Sequence, residues 1–143
     1  MSRIRLPNGD DYPEAAQKHL EDAGVLLREK RWDGSGYLAG YVVECVLKTF
    51  VLVEGKPVPG RHGLSELSQH ALKLAALAGA KTGKYSFRQA TGCSLYDGRR
   101  GWHPGRRYQP IGTIDSKSAS EWLIEAKRIY QMTIIPMKLD GVL

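Results

Sequence analysis

The stretch SGYLAGYVVECVLKTFVLV, residues 35–53, decides the fold. Read at about 100° per residue, its apolar side chains cover most of a helix circumference, which is typical of a helix surrounded by other helices. Its β-branched residues also suit a strand, but the run is longer than a usual strand and no turn signal interrupts it before residues 54–57. We therefore predict a central bundle helix.

A polar seam runs along this helix. Four side chains share one face within about 60° of each other: Tyr37, Tyr41, Glu44 and Lys48. One interpretation is a surface ion pair between Glu44 and Lys48, contributing roughly 0.3–0.5 kcal/mol. The other is a partly buried polar pocket in which an arginine from a distant loop pairs with Glu44. The apolar surroundings favour the pocket, because buried charges need partners.

Apolar periodicity predicts three further helices, at Pro13–Lys30, at Leu64–Ala78 before the capping Gly79, and from the capping box Ser118–Glu121 onward. Pro136 limits or kinks the last one. Without a hairpin or βαβ pattern, the chain is predicted to be all-α: an antiparallel bundle of four, up to five, helices in a single domain over residues 1–143, with its core at about 12–135.

The charge excess is confined to one segment. The chain has 21 Lys and Arg against 15 Asp and Glu, a net charge of +6. Residues 81–108 hold seven of the basic residues and one acid, so the remaining 14 basic and 14 acidic residues cancel. We expect residues 80–115, called the basic segment below, to form a long loop that caps one end of the bundle and meets a polyanion.

The seam helix carries a family resemblance. Residues 31–48, RWDGSGYLAGYVVECVLK, are similar to the second helix of the HEPN domain family, in which a small-aromatic stretch precedes Glu-x-x-Leu-Lys. The motif Arg61-His62-Gly-Leu64 resembles the family's entry into its third helix. Residues 16–27 resemble the first helix, and 102–108 followed by 118–127 resemble the Arg-Tyr loop and last helix. The ordered match spans about 12–130.

This resemblance implies an all-helical bundle, commonly dimeric, associated with nucleotide or RNA chemistry. It also implies a nucleotidyltransferase partner in a toxin–antitoxin-like pair. Many members of the family are metal-independent ribonucleases with an Arg-x4-6-His motif, but no histidine here has an arginine at that spacing. Arg99 and His103 come nearest, with three residues between them, and are the weak catalytic candidates.

The positive site prediction is phosphate or nucleic-acid binding by Arg99, Arg100, Arg106 and Arg107. Arginine forks bind phosphate bidentately, and the aromatic residues among them offer faces for bases. The competing interpretation is a solvated loop whose aromatics merely pack on the bundle, with Trp102 as the best anchor candidate. The expected partner is therefore a nucleotide or single-stranded RNA. The side chains of the polar seam would line a pocket next to these arginines.

Other classes of site lack their motifs. No phosphate-binding glycine loop, zinc-ligand spacing or nucleophile elbow occurs, so we predict no metal and no cofactor. The longest run free of Asp, Glu, Lys and Arg is Gly34–Val43, which predicts no membrane span and, without a signal peptide, a cytoplasmic protein.

Three functions remain open from the sequence: a binding or regulatory module, a ribonuclease using Arg99 and His103, and a structural partner subunit without its own ligand. A homodimer is expected as well, because a four-helix bundle normally leaves part of each helix facing solvent, so that one chain would not cover all of Val43, Val46, Leu47 and Phe50.

Overall fold

The computed structural model describes residues 1–60 and 62–143, and within them it is all-helical, as predicted. The α-helices are α1 (Tyr12–Arg28), α2 (Trp32–Val53), α3 (Leu64–Ala75) and α4 (Ser116–Leu139). Helix α2 contacts the other three, and α1 also contacts α4. Arg61, which contributes to the sequence resemblance, lies outside the described residues.

The ends of the helices differ from the sequence prediction because of local capping. Helix α4 begins at Ser116 with Asp115 as its N-cap, and the Asp115 carboxylate accepts from the N–H of Ser118 at 2.7 Å. The predicted capping box was therefore wrong, since Glu121 bonds elsewhere. Pro136 does not end α4, which continues to Leu139.

Helix α2 is buried almost all round. Val43, Val46, Leu47 and Phe50 have no exposed surface. The expectation that they lack cover within the chain was wrong: Phe87 of the basic segment packs edge-on against Phe50, with ring centroids 5.9 Å apart. The packing of α2 therefore gives no reason for a dimer.

Helix α2 is also long and apolar enough to cross a membrane by length and composition alone. This differs from the sequence expectation, which counted uninterrupted runs and stopped at Glu44. In the structure, 78% of the qualifying window is buried inside the bundle. The core helix of a helical bundle has the same composition, because it too is surrounded by apolar side chains.

The basic segment is not a free loop at one end. It contains three short 3₁₀ helices, at Gly83–Tyr85, Ser94–Tyr96 and Pro104–Tyr108. These contact α2, α3 and α4, so the segment forms part of the wall of the bundle. Its position creates the site described next.

Candidate functional site

Trp102 fixes the basic segment on α2. Its side chain is 3% exposed and its Nε1–H donates to the Tyr37 carbonyl at 2.7 Å. The indole lies directly on Gly40, where a Cβ atom would stand 2.0 Å from Trp102 Cδ1. Only glycine leaves room for this contact. Trp102 is thus the anchor that the sequence suggested.

Three carboxylates hold the rest of the segment by accepting backbone N–H groups. Glu125 accepts from Ala90 at 2.8 Å, and Glu121 accepts from Ser94 at 2.7 Å. Asp33, near the start of α2, accepts from Gly112 at 2.7 Å and from Ile114 at 2.8 Å. Burial disfavours the Asp33 anion, but these N–H groups outweigh it and lower its pKa.

A cavity of about 580 Å³ opens between this segment and the first turn of α3. That volume falls in the range of roughly 300–1,000 Å³ typical of small-molecule sites. Its lining consists of Gly63, Leu64, Ser65, Glu66, Leu95, Tyr96, Gly98, Arg99, Trp102, His103 and Gln109. The lining combines apolar and aromatic side chains with polar and charged ones. Arg99 and His103, distant from α3 in sequence, meet it here.

The electrostatics of this cavity suit an anion. Helix α3 starts at Leu64 after Gly63, which offers no capping side chain, so the N–H groups of its first turn lack helical partners. Such a helix end carries partial positive charge and binds phosphate or carboxylate. Arg99 adds a full positive charge to the lining, which also includes the carboxylate of Glu66. Burial and the nearby Arg106 charge lower the pKa of His103, so its imidazole is neutral at neutral pH.

Tyr96 lines the cavity, but its hydroxyl is buried away from solvent. Its hydroxyl is buried and has no hydrogen-bond partner within the described part of the chain. Buried hydroxyls are normally paired, so this one is unusual, but it has almost no exposed surface and is therefore not offered to a ligand in the cavity. Burial, followed by the charge of Glu125, raises the Tyr96 pKa, which keeps the hydroxyl protonated and able to donate.

The predicted seam divides into two parts. Glu44, 3% exposed, contacts Lys48 Nζ at 2.6 Å and His62 Nδ1 at 2.9 Å through its Oε1 atom. The expected arginine partner from the basic segment was wrong, because His62 occupies that place. At the other end, the hydroxyls of Tyr37 and Tyr41 lie 3.2 Å apart. Neither Glu44 nor Lys48 lines the cavity.

Tyr41 packs between Trp102 and His19, with ring centroids 4.9 Å and 5.6 Å away. His19 is half-buried beside this ring. Its Nδ1 atom is buried and without a partner among the described residues. Burial, with the charge of Lys18, lowers the His19 pKa. These contacts make Tyr41 a support for the Trp102 anchor.

The four predicted phosphate-binding arginines have different surroundings. Arg99 lines the cavity, and the side chain of Arg100 is exposed outside it. Arg107 is exposed and lines a neighbouring depression together with Tyr37, with its guanidinium 4.9 Å from the ring centroid of Tyr108. Arg99 is thus the arginine placed to meet a ligand in the cavity.

Arg106 is different, because its guanidinium is held within the segment. Three backbone carbonyls and one side-chain oxygen accept its N–H groups at 2.6–3.3 Å: Gly101, Arg100, Thr113 and the Gln109 amide. It also stacks on Trp122, 5.4 Å from the ring centroid. Four of its five N–H groups are therefore occupied. Arg106 organises the segment that presents Arg99 and His103.

Sequence reasoning missed the contribution of α3 and Gln109 to the cavity. The available signal was the pair Gly36 and Gly40, one turn apart on an otherwise bulky helix. A Cβ atom at Gly36 would lie 2.8 Å from Ile114, as one at Gly40 would meet Trp102. Two glycines at this spacing indicate that large side chains from other parts of the chain pack on α2. No group of three or more His, Cys, Asp or Glu side chains suited to a metal ion occurs among the described residues.

These features define a helical bundle with an anion-suited cavity beside the N-terminus of its third helix. The family model for the HEPN domain matches residues 10–93, more than half of the chain, and the protein belongs to the HEPN domain family. The matched range ends before Arg99 and His103. No curated protein and no solved structure gave a significant match. Membership supports a nucleotide- or RNA-related regulatory or nuclease module in general.

Proposed function

We propose that this HEPN domain binds a nucleotide or the phosphate of a single-stranded RNA in the cavity between α3 and the basic segment. The observation that carries the proposal is that Arg99, His103 and the uncapped first turn of α3 line one cavity. The phosphate would accept from Arg99 and from the N–H groups of Leu64 and Ser65. The base or sugar would lie against the part of Trp102 that is exposed in the cavity.

The test is a titration with uridine 5′-monophosphate, using one cavity variant and a matched control. Hydrogen bonds to charged groups contribute roughly 1.5–3 kcal/mol, so Arg99→Gln should weaken binding by roughly 10- to 100-fold. Arg100→Gln removes the adjacent, exposed arginine and should change affinity little. Equal effects of the two substitutions, or no effect of either, would contradict the proposal.

A ribonuclease activity is the second candidate, favoured by the shared lining of Arg99 and His103 and by the neutral state of His103. A neutral imidazole can take the proton of the ribose 2′-hydroxyl as its oxygen attacks phosphorus. The proton then returns to the departing 5′-oxygen, leaving a 2′,3′-cyclic phosphate. Arg99 would balance the charge on the phosphoryl oxygens.

This activity is tested with single-stranded RNA and a metal chelator. The ribonuclease hypothesis predicts cleavage by the wild type that His103→Ala abolishes, with UMP binding retained. Absence of cleavage by the folded wild type would leave the binding module as the function. Cleavage that survives His103→Ala would also contradict this mechanism.

The proposal extends to assembly and partners. The protein would be a cytoplasmic homodimer that acts with a nucleotidyltransferase partner in a toxin–antitoxin-like pair. Large exposed side chains on α4 support an interface there, among them Ile124, Ile135 and Leu139, which are 69%, 41% and 83% exposed. Light scattering measures the mass directly. A value near 15.9 kDa at micromolar concentration would reject the stable homodimer.

A further inference from the structure

We propose that the turn between α1 and α2, residues 30–32, is a second nucleic-acid contact, and that the ligand is therefore a single-stranded oligonucleotide and not only a mononucleotide. This inference rests on the proposed function of the cavity, which would hold one phosphate of that strand. It adds a separate surface on a different part of the chain. The argument starts from the depressions that adjoin the cavity.

Three depressions adjoin one another at shared lining residues, and together they are called the extended groove below. The cavity of about 580 Å³ shares Gln109 with a depression of about 300 Å³, whose lining includes Tyr37 and Arg107. That depression in turn shares Asp33, Gly34 and Ile111 with a third one of about 480 Å³. The third contains Lys30, Arg31 and Trp32. A ligand longer than one nucleotide could therefore reach from the cavity to the neighbouring depressions along these shared residues.

The chemistry of the extended groove alternates cations with aromatic faces. Arg99 and His103 begin it, Arg107 and Tyr37 lie in the middle, and the turn closes it. Phosphates pair with such cations while bases stack on the aromatic side chains, and this combination is typical of sites for single strands. The exposed apolar side chain of Ile111, 99% accessible, lies between the last two depressions and offers one more apolar contact for a base.

Two acids also line the groove, and each is engaged with other groups of the protein. Asp33 is occupied by the N–H groups of Gly112 and Ile114 and by the Thr113 hydroxyl at 3.4 Å. Glu66 lines the cavity and engages in an interaction of its own. By contrast, Lys30 and Arg31 are exposed, and neither forms an ion pair within the described residues.

The backbone at Lys30 provides an independent observation. Lys30 has φ +60°, which makes it the one non-glycine residue with positive φ in the described part of the chain. Its N–H bonds to the Leu27 carbonyl and that of Arg31 bonds to Leu26, which is the hydrogen-bond pattern of a helix C-terminal cap where glycine is usual. Lysine is strained there, so Lys30→Gly relieves backbone strain and removes a cation at once.

The experiment compares UMP with oligouridylates of up to about ten nucleotides, the lengths that single-strand sites commonly cover. Fluorescence anisotropy reports binding to the wild type, to Arg31→Gln and Lys30→Gly, and to Arg88→Gln as a control arginine outside the groove. We expect affinity to rise with length in the wild type. Arg31→Gln and Lys30→Gly should each lower affinity for the longest oligonucleotide severalfold and leave UMP binding unchanged.

The salt dependence of binding and the Tm of each variant make the test more specific. Each lost phosphate contact should reduce the slope of log affinity against log salt by about 0.7 for a single strand. Lys30→Gly should raise Tm while weakening oligonucleotide binding, so a folding defect cannot explain the loss. Arg88→Gln should alter neither the slope nor the length dependence.

The outcomes separate this inference from the proposed function. UMP binding without any gain from length would overturn the inference and leave the cavity function standing. Oligonucleotide binding that depends on Arg31 without any UMP binding would support the turn as a contact and refute the cavity as a phosphate site. Equal losses in Arg31→Gln and Arg88→Gln, or displacement by polyglutamate as effective as by oligouridylate, would overturn the inference in favour of a general polyanion surface.

Discussion

Gly40→Ala tests how the candidate site is built. In the structure the new methyl group would lie 2.0–2.2 Å from three atoms of the Trp102 indole, far inside van der Waals contact. Trp102 is 3% exposed and hydrogen-bonded to Tyr37, so the rigid indole has no nearby position to adopt. The substitution must therefore displace Trp102 together with the segment that it anchors.

The size of the effect follows from two opposing contributions. Removing a buried tryptophan costs about 3–5 kcal/mol, and displacing one loses much of that. Alanine in a helix interior is favoured over glycine by about 1 kcal/mol. The net expectation is a loss of about 2–4 kcal/mol in the free energy of unfolding, whereas an uncrowded glycine in α2 would give a gain of about 1 kcal/mol. The sign alone is therefore diagnostic.

Urea unfolding followed by circular dichroism measures this, and a double-mutant cycle checks the cause. Once Trp102→Ala has emptied the space, adding Gly40→Ala should no longer destabilise and should give a gain of about 1 kcal/mol. Gly40→Ala alone should also weaken UMP binding, because Trp102 lines the cavity. A stabilised Gly40→Ala single variant, or additive losses in the double variant, would refute the contact.

Three further predictions concern groups around the site. The pKa of His19 is lowered below 6.5 in the folded state, so the unfolded chain takes up the proton first as the pH falls. The free energy of unfolding should therefore decrease below about pH 6.5. His19→Phe should reduce this decrease, measured by urea unfolding at several pH values. The pKa of Asp33 is lowered below 3.8, so its contribution to the free energy of unfolding is present above pH 3.8 and is lost on acidification. Asp33→Asn should lower the free energy of unfolding by about 1–3 kcal/mol at neutral pH. It should also make residues 110–114 accessible to limited proteolysis. Arg106→Gln should lower the free energy of unfolding by about 2 kcal/mol, while the exposed Arg107→Gln should change it by less than about 0.5 kcal/mol in the same urea assay.

Much of the bundle could be predicted from periodicity, because apolar spacing alone places α1, α2, α3 and α4. Their ends were less accurate where a cap depends on one side chain, as at Asp115. The cover of α2 was misjudged for a different reason. The basic segment has no period of its own, and the carboxylates of Glu121 and Glu125 hold it through long-range bonds to backbone N–H groups. Such bonds leave no periodic pattern in a sequence.

The candidate site, too, could be predicted only in part from the sequence. Composition identified the arginines as a group, but it could not distinguish Arg106, which is occupied by carbonyls of its own segment, from Arg99, which lines the cavity. The meeting of Arg99 with α3 depends on where Trp102 docks, and that is set by the missing side chain at Gly40. A glycine in a helix is visible in the sequence, whereas the partner that fills its space is not.

The first turn of α3 is the part of the cavity that a ligand must meet if the proposed phosphate site exists. Nuclear magnetic resonance can observe the backbone amides of Leu64 and Ser65 and the indole N–H of Trp102 during a titration with UMP. The proposed site predicts saturable shifts of all three signals, with small changes on the exposed face of α4 around Ile135. Binding of UMP that leaves these three signals unmoved and shifts resonances of α4 instead would contradict it.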